Sequence, residues 1–157
     1  MIVPPSFEIN ALPGRRPFWS LIAFAPIGST GGEPGGEPRR VLVVEDDFLV
    51  AGELEHWLSL AGFEVVGPAA TADEAITLAR EAKPDLVVMD IRLAGSRDGV
   101  DAAIEIYQSL GIRSVFATAH SDARTMARGK EANPLAWIAK PYSPSGLVTE
   151  LKALLAG

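Results

Sequence analysis

Residues 41–47 read Val-Leu-Val-Val-Glu-Asp-Asp, four apolar residues in succession followed at once by three acids. A short unbroken apolar run, as opposed to an alternating one, is typical of a strand buried on both faces of a parallel sheet. The acids then fall at the carboxyl end of that strand, the edge at which open parallel sheets bind their ligands. This stretch predicts a fold class and the edge of the sheet that carries the functional residues.

Downstream of this stretch, apolar runs alternate with segments of helical period, which is the pattern of βα units around a parallel sheet. Five such units can be counted, with strand candidates at Val41 to Val44, Glu64 to Gly67, Leu86 to Met89, Ser114 to Ala117 and Leu135 to Ala139. We therefore predict an α/β fold with a doubly wound, five-stranded parallel sheet and helices on both of its faces.

The helices carry signals of their own. The first is predicted to pack against the sheet through residues at helical spacing, namely Val50, Leu54, Trp57, Leu58 and Ala61. Thr71 and Glu74 predict a capping box at the start of the second helix. Ser143 followed by Pro144 predicts an N-cap and first helical position for the last helix.

The fourth helix, about Ser121 to Ala132, is predicted to be the weakest. Gly129 lies inside it, and its apolar residues are few and small. We expect it to be the most mobile element of the domain.

Composition restricts the domain organisation and the classes of function. Residues 1–39 are rich in Pro and Gly and predict a disordered leader, so the folded domain is expected to span residues 40–157. The net charge of −6 belongs wholly to the folded part, which has 17 acids against 11 bases, and this disfavours nonspecific binding to nucleic acid or to an anionic membrane. The apolar stretch from Phe18 to Ile27 is too short to span a bilayer. The absence of cysteine excludes a disulfide framework.

The residues at the carboxyl ends of the predicted strands form a chemically coherent set. They comprise three acids after the first strand, one after the third, a hydroxyl after the fourth and a lysine after the fifth: Glu45, Asp46, Asp47, Asp90, Thr118 and Lys140. Clustered carboxylates repel one another unless a cation is bound, and Mg²⁺ prefers one or two carboxylates together with water and phosphate oxygens. A nucleophilic carboxylate, a hydroxyl and an ammonium beside such a cation indicate phosphoryl transfer.

Four segments carry a family resemblance: Val-Leu-Val-Val-Glu-Asp-Asp, Val-Val-Met-Asp-Ile-Arg-Leu, Phe-Ala-Thr-Ala and Ile-Ala-Lys-Pro-Tyr. Together and in this order they resemble the signature segments of response-regulator receiver domains of two-component signalling, over residues 40–157. The resemblance implies a flavodoxin-like sheet with strand order 2-1-3-4-5. It also implies a cytoplasmic signalling phosphoacceptor, which is not an enzyme acting on other molecules.

The resemblance further implies a role for each site residue. Asp90 is the expected phosphoacceptor. Asp46 and Asp90 are expected to ligate Mg²⁺ together with the backbone carbonyl of Arg92, while Glu45 assists through water. Asp47 is expected to be a bystander.

On the other side of the site, the resemblance implies that Thr118 and Lys140 hold the phosphoryl group. It implies that the Lys140-Pro141 peptide bond is cis and that Trp137 takes part in the switch. Trp137 is bulkier than the tyrosine or phenylalanine usual at that position, so an inward swing has less room.

The implied partners are a histidine kinase or a histidine phosphotransfer protein, and a further protein as the downstream target. The expected output surface, also a candidate for homodimer formation, comprises the fourth helix, fifth strand and fifth helix. No direct contact with nucleic acid or membrane is expected.

Other interpretations of the same residues remain open. The three acids are also typical of a helix N-terminus favoured by the macrodipole, and Asp90, Thr118 and Lys140 taken singly are compatible with a strand end, a helix cap and a solvated charge. A degenerate receiver that binds proteins without phosphorylation is the main alternative function. An aspartate-based phosphatase is disfavoured because Arg92 stands where its second acid is needed, and an FMN binder because the acids would repel a phosphate.

Overall fold

The computed structural model describes residues 36–119 and 122–156. Five strands and five helices alternate along them. They are β1 (Arg40–Val44), α1 (Phe48–Leu60), β2 (Glu64–Ala69), α2 (Ala72–Ala82), β3 (Leu86–Met89), α3 (Gly99–Leu110), β4 (Ser114–Thr118), α4 (Ala123–Gly129), β5 (Ala136–Ala139) and α5 (Pro144–Ala156). A short 3₁₀ helix, Lys130–Ala132, follows α4. The predicted leader, residues 1–39, lies outside the described residues except for its last four.

The strands form one parallel sheet in the order β2-β1-β3-β4-β5, which confirms the predicted fold class and topology. The sheet is doubly wound, because helices pack on both of its faces and each face contributes its own set of apolar strand residues. Leu42, Met89 and Phe116 pack with residues of α2 and α3 on one face. Val43 and Val88 pack with residues of α1 and α5 on the other. Two cores therefore enclose β1, β3 and β4 and fix the positions of their carboxyl ends.

The apolar face predicted for α1 is only partly correct. Leu54 and Leu58 are buried as expected, together with Ala51. Trp57 is 39% exposed, which corrects the prediction that it packs against the sheet. It directly precedes Leu58 and so points about 100° away from that side chain around the helix.

The predicted helix starts are confirmed in part. Thr71 Oγ1 accepts a hydrogen bond from the Glu74 N–H, but the Glu74 carboxylate accepts from the Ala70 N–H, so the reciprocal bond lies one residue outside the predicted capping box. Ser143 Oγ accepts from the Gly146 N–H at 3.1 Å, and α5 begins at the next residue after Ser143.

The fourth helix is shorter than predicted. Asp122 caps it by accepting the Thr125 N–H at 3.0 Å, and regular α-helix ends at Gly129. Ser121, the predicted first residue, lies outside the described residues. None of the helices described here is both long and apolar enough to cross a bilayer.

Candidate functional site

The predicted site residues lie where the parallel strands end. The Asp90 N–H donates to the Val44 carbonyl at 2.9 Å, and the Lys140 N–H donates to the Thr118 carbonyl at the same distance. Backbone hydrogen bonding thus continues one residue beyond β3 and β5. These bonds hold the backbones of Asp90 and Lys140 in register with the neighbouring strands. The range of positions that the two side chains can reach is therefore restricted.

Lys140 joins the acids of the first and third strands. Its Nζ lies 2.6 Å from a carboxylate oxygen of Glu45 and 2.9 Å from one of Asp90. The side chains of Glu45 and Asp90 are 6% and 10% exposed, against 22% for Lys140. Two nearly buried carboxylates therefore share one ammonium, an arrangement in which charge-assisted hydrogen bonds are strong.

Burial and pairing change the ionisation of this cluster in opposite senses. Burial raises the pKa of Glu45 above its ordinary value of 4.5; the hydrogen bond from Lys140 opposes the shift and the charge of Asp90 adds to it. Burial alone lowers the pKa of Lys140, but its bonds to Glu45 and Asp90 outweigh this effect and hold that pKa above 10.5. Lys140 thus remains an ammonium at neutral pH, and it is surrounded by an excess of negative charge.

The acids also form a possible cation site. Carboxylate oxygens of Glu45, Asp46 and Asp90 all lie within 4.8 Å of one another. The donors are all hard oxygens, and exposed Asp46 leaves the cluster open to solvent on one side. Such a set suits Mg²⁺, which keeps several waters and takes one or two protein carboxylates. Arg92, the predicted carbonyl ligand, follows two residues after Asp90 and its N–H donates to Asp90 Oδ1 at 3.2 Å.

Asp47 has a different role from its two neighbours. It is the N-cap of α1, where its carboxylate accepts the Leu49 N–H at 2.9 Å and the Val50 N–H at 3.3 Å. The interpretation of the acids as a helix N-terminal cluster therefore holds for Asp47, whereas Glu45 is directed to Lys140. Of the three adjacent acids, Asp47 caps α1, whereas Glu45 and Asp46 belong to the acidic cluster around Asp90.

Thr118 and Trp137 lie on the β4–β5 side of the site. Thr118 is the last residue of β4 and is 3% exposed. Trp137 stacks on Phe116, with ring centroids 4.3 Å apart and planes 29° from parallel. A Cβ placed on Gly129 would lie 2.7 Å from two indole carbons of Trp137, so the indole packs directly against the backbone of α4. The predicted Lys140-Pro141 cis bond is present.

Sequence reasoning missed a second glycine, Gly99, at the start of α3. A Cβ there would lie 1.9 Å from the carbonyl oxygen of Asp90, and the Gly99 N–H donates to the Ile91 carbonyl at 2.8 Å. The N-terminus of α3 thus rests on the backbone of the predicted phosphoacceptor. The only signal in the sequence is the pair Asp98-Gly99, a cap residue followed by glycine.

A cavity of about 370 Å³ opens beside Lys140, between α1 and the segment that joins β5 to α5. Its lining includes Val50, Leu54 and Tyr142 and is mainly apolar. Burial raises the pKa of the Tyr142 phenol above 10.0. Phe48 and Leu49, at the start of α1, are 78% and 70% exposed. Apolar surface therefore borders the charged site on the α1 side.

Comparisons with known proteins agree with the fold described above. The family model described as the response regulator receiver domain matches residues 41–152. The transcriptional regulatory protein PdtaR of Mycobacterium tuberculosis is 38% identical over 125 residues, which cover 80% of this chain and 60% of PdtaR. The phyllosphere-induced regulator PhyR of Methylorubrum extorquens is 33% identical over 109 residues, covering 69% of this chain and 40% of PhyR.

Among solved structures, the signal receiver domain of a modulated diguanylate cyclase from Desulfovibrio desulfuricans is similar with a TM-score of 0.70 and 31% identity, over 76% of this chain and 94% of that domain. The matched segment spans 60% or less of the length of the two regulators. PdtaR and PhyR are both named as regulators. Fold, site geometry and the family match together show that this chain belongs to the response-regulator receiver domains of two-component systems.

Proposed function

We propose that this domain accepts a phosphoryl group on Asp90 from a histidine kinase or a histidine phosphotransfer protein, in a reaction that requires Mg²⁺. The observation that carries the proposal is the position of the Asp90 carboxylate, which is 2.9 Å from the Lys140 ammonium and within 4.8 Å of two further carboxylates. A carboxylate in this setting has both charge partners that phosphoryl transfer needs, a fixed ammonium and a set of cation ligands.

In the transfer, an oxygen of Asp90 forms a bond to phosphorus while the bond from phosphorus to the donor histidine nitrogen breaks. The nitrogen keeps the electron pair of the broken bond. Asp46 and Asp90, with the Arg92 carbonyl and with Glu45 through water, would hold the Mg²⁺. When bound, that ion neutralises charge on the phosphoryl oxygens. The acyl phosphate that forms adds negative charge and acceptor oxygens to Asp90.

Thr118 and Lys140 are assigned to the phosphoryl oxygens. The Lys140 ammonium is charged and already within hydrogen-bond distance of Asp90, so it needs little movement to pair with a group attached there. Thr118 ends the neighbouring strand, and its hydroxyl is a donor of suitable size. The phosphoryl group would thereby contact residues at the carboxyl ends of β4 and β5, the two strands that precede and follow α4 in the sequence.

The donor protein is assigned to the α1 side of the site. Phe48 and Leu49 are exposed there, and the apolar cavity lies beside Lys140. Apolar area at the rim of a charged site favours protein docking, whereas the net negative charge disfavours nucleic acid. The downstream partner is assigned to the surface of α4, β5 and α5, which includes Trp137.

Labelling with a small phosphodonor tests the proposal. The domain is incubated with phosphoramidate and Mg²⁺, and intact mass is measured for the wild type, Asp90→Asn and Asp47→Asn. Asp47 is the matched control, because it is a neighbouring acid that caps α1, and asparagine also caps helices. The wild type and Asp47→Asn are expected to gain one phosphoryl group, and Asp90→Asn is expected to gain none.

Three results would contradict the proposal. Equal labelling of Asp90→Asn would place the acceptor elsewhere, and undiminished labelling in EDTA would remove the metal requirement. If the wild type itself is not labelled while it still binds its partner, the domain is a phosphorylation-independent binding module.

A further inference from the structure

Arg128 on α4 is paired with the start of α3. Its Nη2 lies 2.5 Å from both carboxylate oxygens of Asp98 and 3.4 Å from Asp101 Oδ1. Asp98 is the N-cap of α3, and it forms a reciprocal capping box with Asp101. Arg128 thus binds the residues that fix the first turn of α3.

That first turn lies against the backbone of the phosphoacceptor segment. Gly99, the residue after Asp98, donates its N–H to the Ile91 carbonyl, and a Cβ on Gly99 would collide with the Asp90 carbonyl oxygen. The capping box and this close contact make the turn a stiff connection between the Asp90 backbone and the Asp98 carboxylate. A displacement of Asp90 therefore reaches Asp98 through short covalent and hydrogen-bonded links.

Helix α4, which carries Arg128, has few other contacts that hold it to the domain. The only buried residue of α4 is Gly129. In the described part of the chain, Arg128 is the residue of α4 whose side chain forms hydrogen bonds to another helix. The Arg128 pair is consequently the polar attachment of α4 to the body of the domain.

The pair is poorly suited to a purely stabilising role. The side chains of Arg128 and Asp98 are 41% and 36% exposed, and ion pairs at this exposure contribute little to the free energy of unfolding. In addition, Arg128 Nε is buried without a hydrogen-bond partner among the described residues, which is unfavourable.

We infer that Arg128 is a positioning residue that makes α4 follow the backbone of Asp90, through the capping residue Asp98. This inference rests on the proposed function, because it concerns how phosphorylation of Asp90 is transmitted. This connection from Asp90 to α4 passes through the first turn of α3, and it is separate from the connection through Thr118 and Trp137. Removal of the pair leaves the acyl phosphate in place and weakens the response of α4 to it.

The test compares amide hydrogen exchange with and without beryllofluoride and Mg²⁺ in the wild type and in Arg128→Gln. Arg80→Gln is the matched control, since Arg80 forms a similar exposed pair with Glu105 at 2.9 Å but links α3 to α2. In Arg128→Gln, the beryllofluoride-induced change in exchange over residues 123–132 is expected to fall about fivefold or more, the lower end of typical allosteric coupling. The change at residues 116–118 and the denaturant midpoint are expected to stay within error.

A second variant separates charge pairing from capping. Asp98→Asn keeps a side chain that caps helices well but removes the charge opposite Arg128. It is expected to weaken the α4 response as Arg128→Gln does, and the double variant should add nothing further.

An α4 response that is unchanged in Arg128→Gln, or equally reduced in Arg80→Gln, would overturn the inference. Neither result affects the proposed function, which the labelling experiment tests separately and which also fails if the wild type binds no beryllofluoride and takes no phosphoryl group. In that case the inference fails with it.

Discussion

Helices α3 and α4 follow consecutive strands, β3 and β4, yet they are held to the domain in opposite ways. α3 has 12 residues, five of them buried, and is capped at both ends by Asp98 and by Gly111 in the left-handed conformation. α4 has 7 residues with only Gly129 buried, and it continues into a 3₁₀ turn. The first is anchored by its core face, and the second by one indole and one ion pair.

The difference separates two tasks within one domain. Phosphoryl transfer requires a carboxylate and an ammonium in fixed positions, and α3 lies against the backbone of that carboxylate. A switch requires an element with two accessible positions, and elements with few buried apolar contacts open at low free-energy cost. On this basis we propose that the first turn of α3 and the Asp90 backbone form one stiff unit, and that α4 is the element whose position phosphorylation of Asp90 would change.

The largest effect is expected from filling the contact between α3 and Asp90. Gly99→Ala places a methyl group 1.9 Å from a backbone oxygen, and backbone cannot move aside as a flexible side chain does. We expect a loss of at least about 3 kcal/mol in the free energy of unfolding, measured by denaturant titration.

Gly52→Ala in α1 is the control, because nothing lies within 4 Å of its added methyl group. This exchange should stabilise the domain by about 0.5–1 kcal/mol. A Gly99→Ala variant as stable as the wild type would mean that α3 is not seated on the site.

A smaller effect is expected from the same substitution on α4. Gly129→Ala places a methyl group 2.7 Å from the six-membered ring of Trp137, and a side chain can partly yield. We expect a loss of roughly 1–3 kcal/mol. Trp137→Phe removes the overlapping part of the ring, so the double variant should lose less than the sum of the single ones. Additive losses would show that α4 does not pack on this indole.

The smallest effect concerns the N-cap of α4. The backbone N–H and hydroxyl of Thr125 bond to the Asp122 carboxylate and lower its pKa below 3.8. Because the pKa in the folded state is depressed, the cap contributes above the unfolded value and is lost as the pH falls through the folded one. Carbon NMR titration of Asp122 should give a midpoint below 3.8, and Thr125→Val should move it upward. A midpoint at or above 3.8 would show that the cap is not formed.

The site could be predicted from sequence more completely than the connections around it. The run Val41 to Val44 and the acids after it are local signals, and parallel topology brings strand ends together even when Glu45 and Lys140 are 95 residues apart. The pair of Arg128 with Asp98 joins residues 30 apart with no pattern in either segment. The same holds for Gly99, whose role depends on the exact approach of a helix to a backbone carbonyl.

The exposure of Trp57 shows another limit. Helical periodicity places residues on a face, but it does not tell how wide a stripe the sheet covers. The narrow contact made by Ala51, Leu54 and Leu58 leaves Trp57 at its rim.

The stacking of Trp137 on Phe116, beside Gly129, gives the domain an intrinsic optical probe. The chain has three tryptophans: Trp19, outside the described residues, Trp57 at the surface and Trp137 in the stack. Replacing the first two by phenylalanine leaves a single emitter in contact with the one helix expected to move. Its emission wavelength and its quenching by iodide then report the position of α4 in real time, without an attached dye.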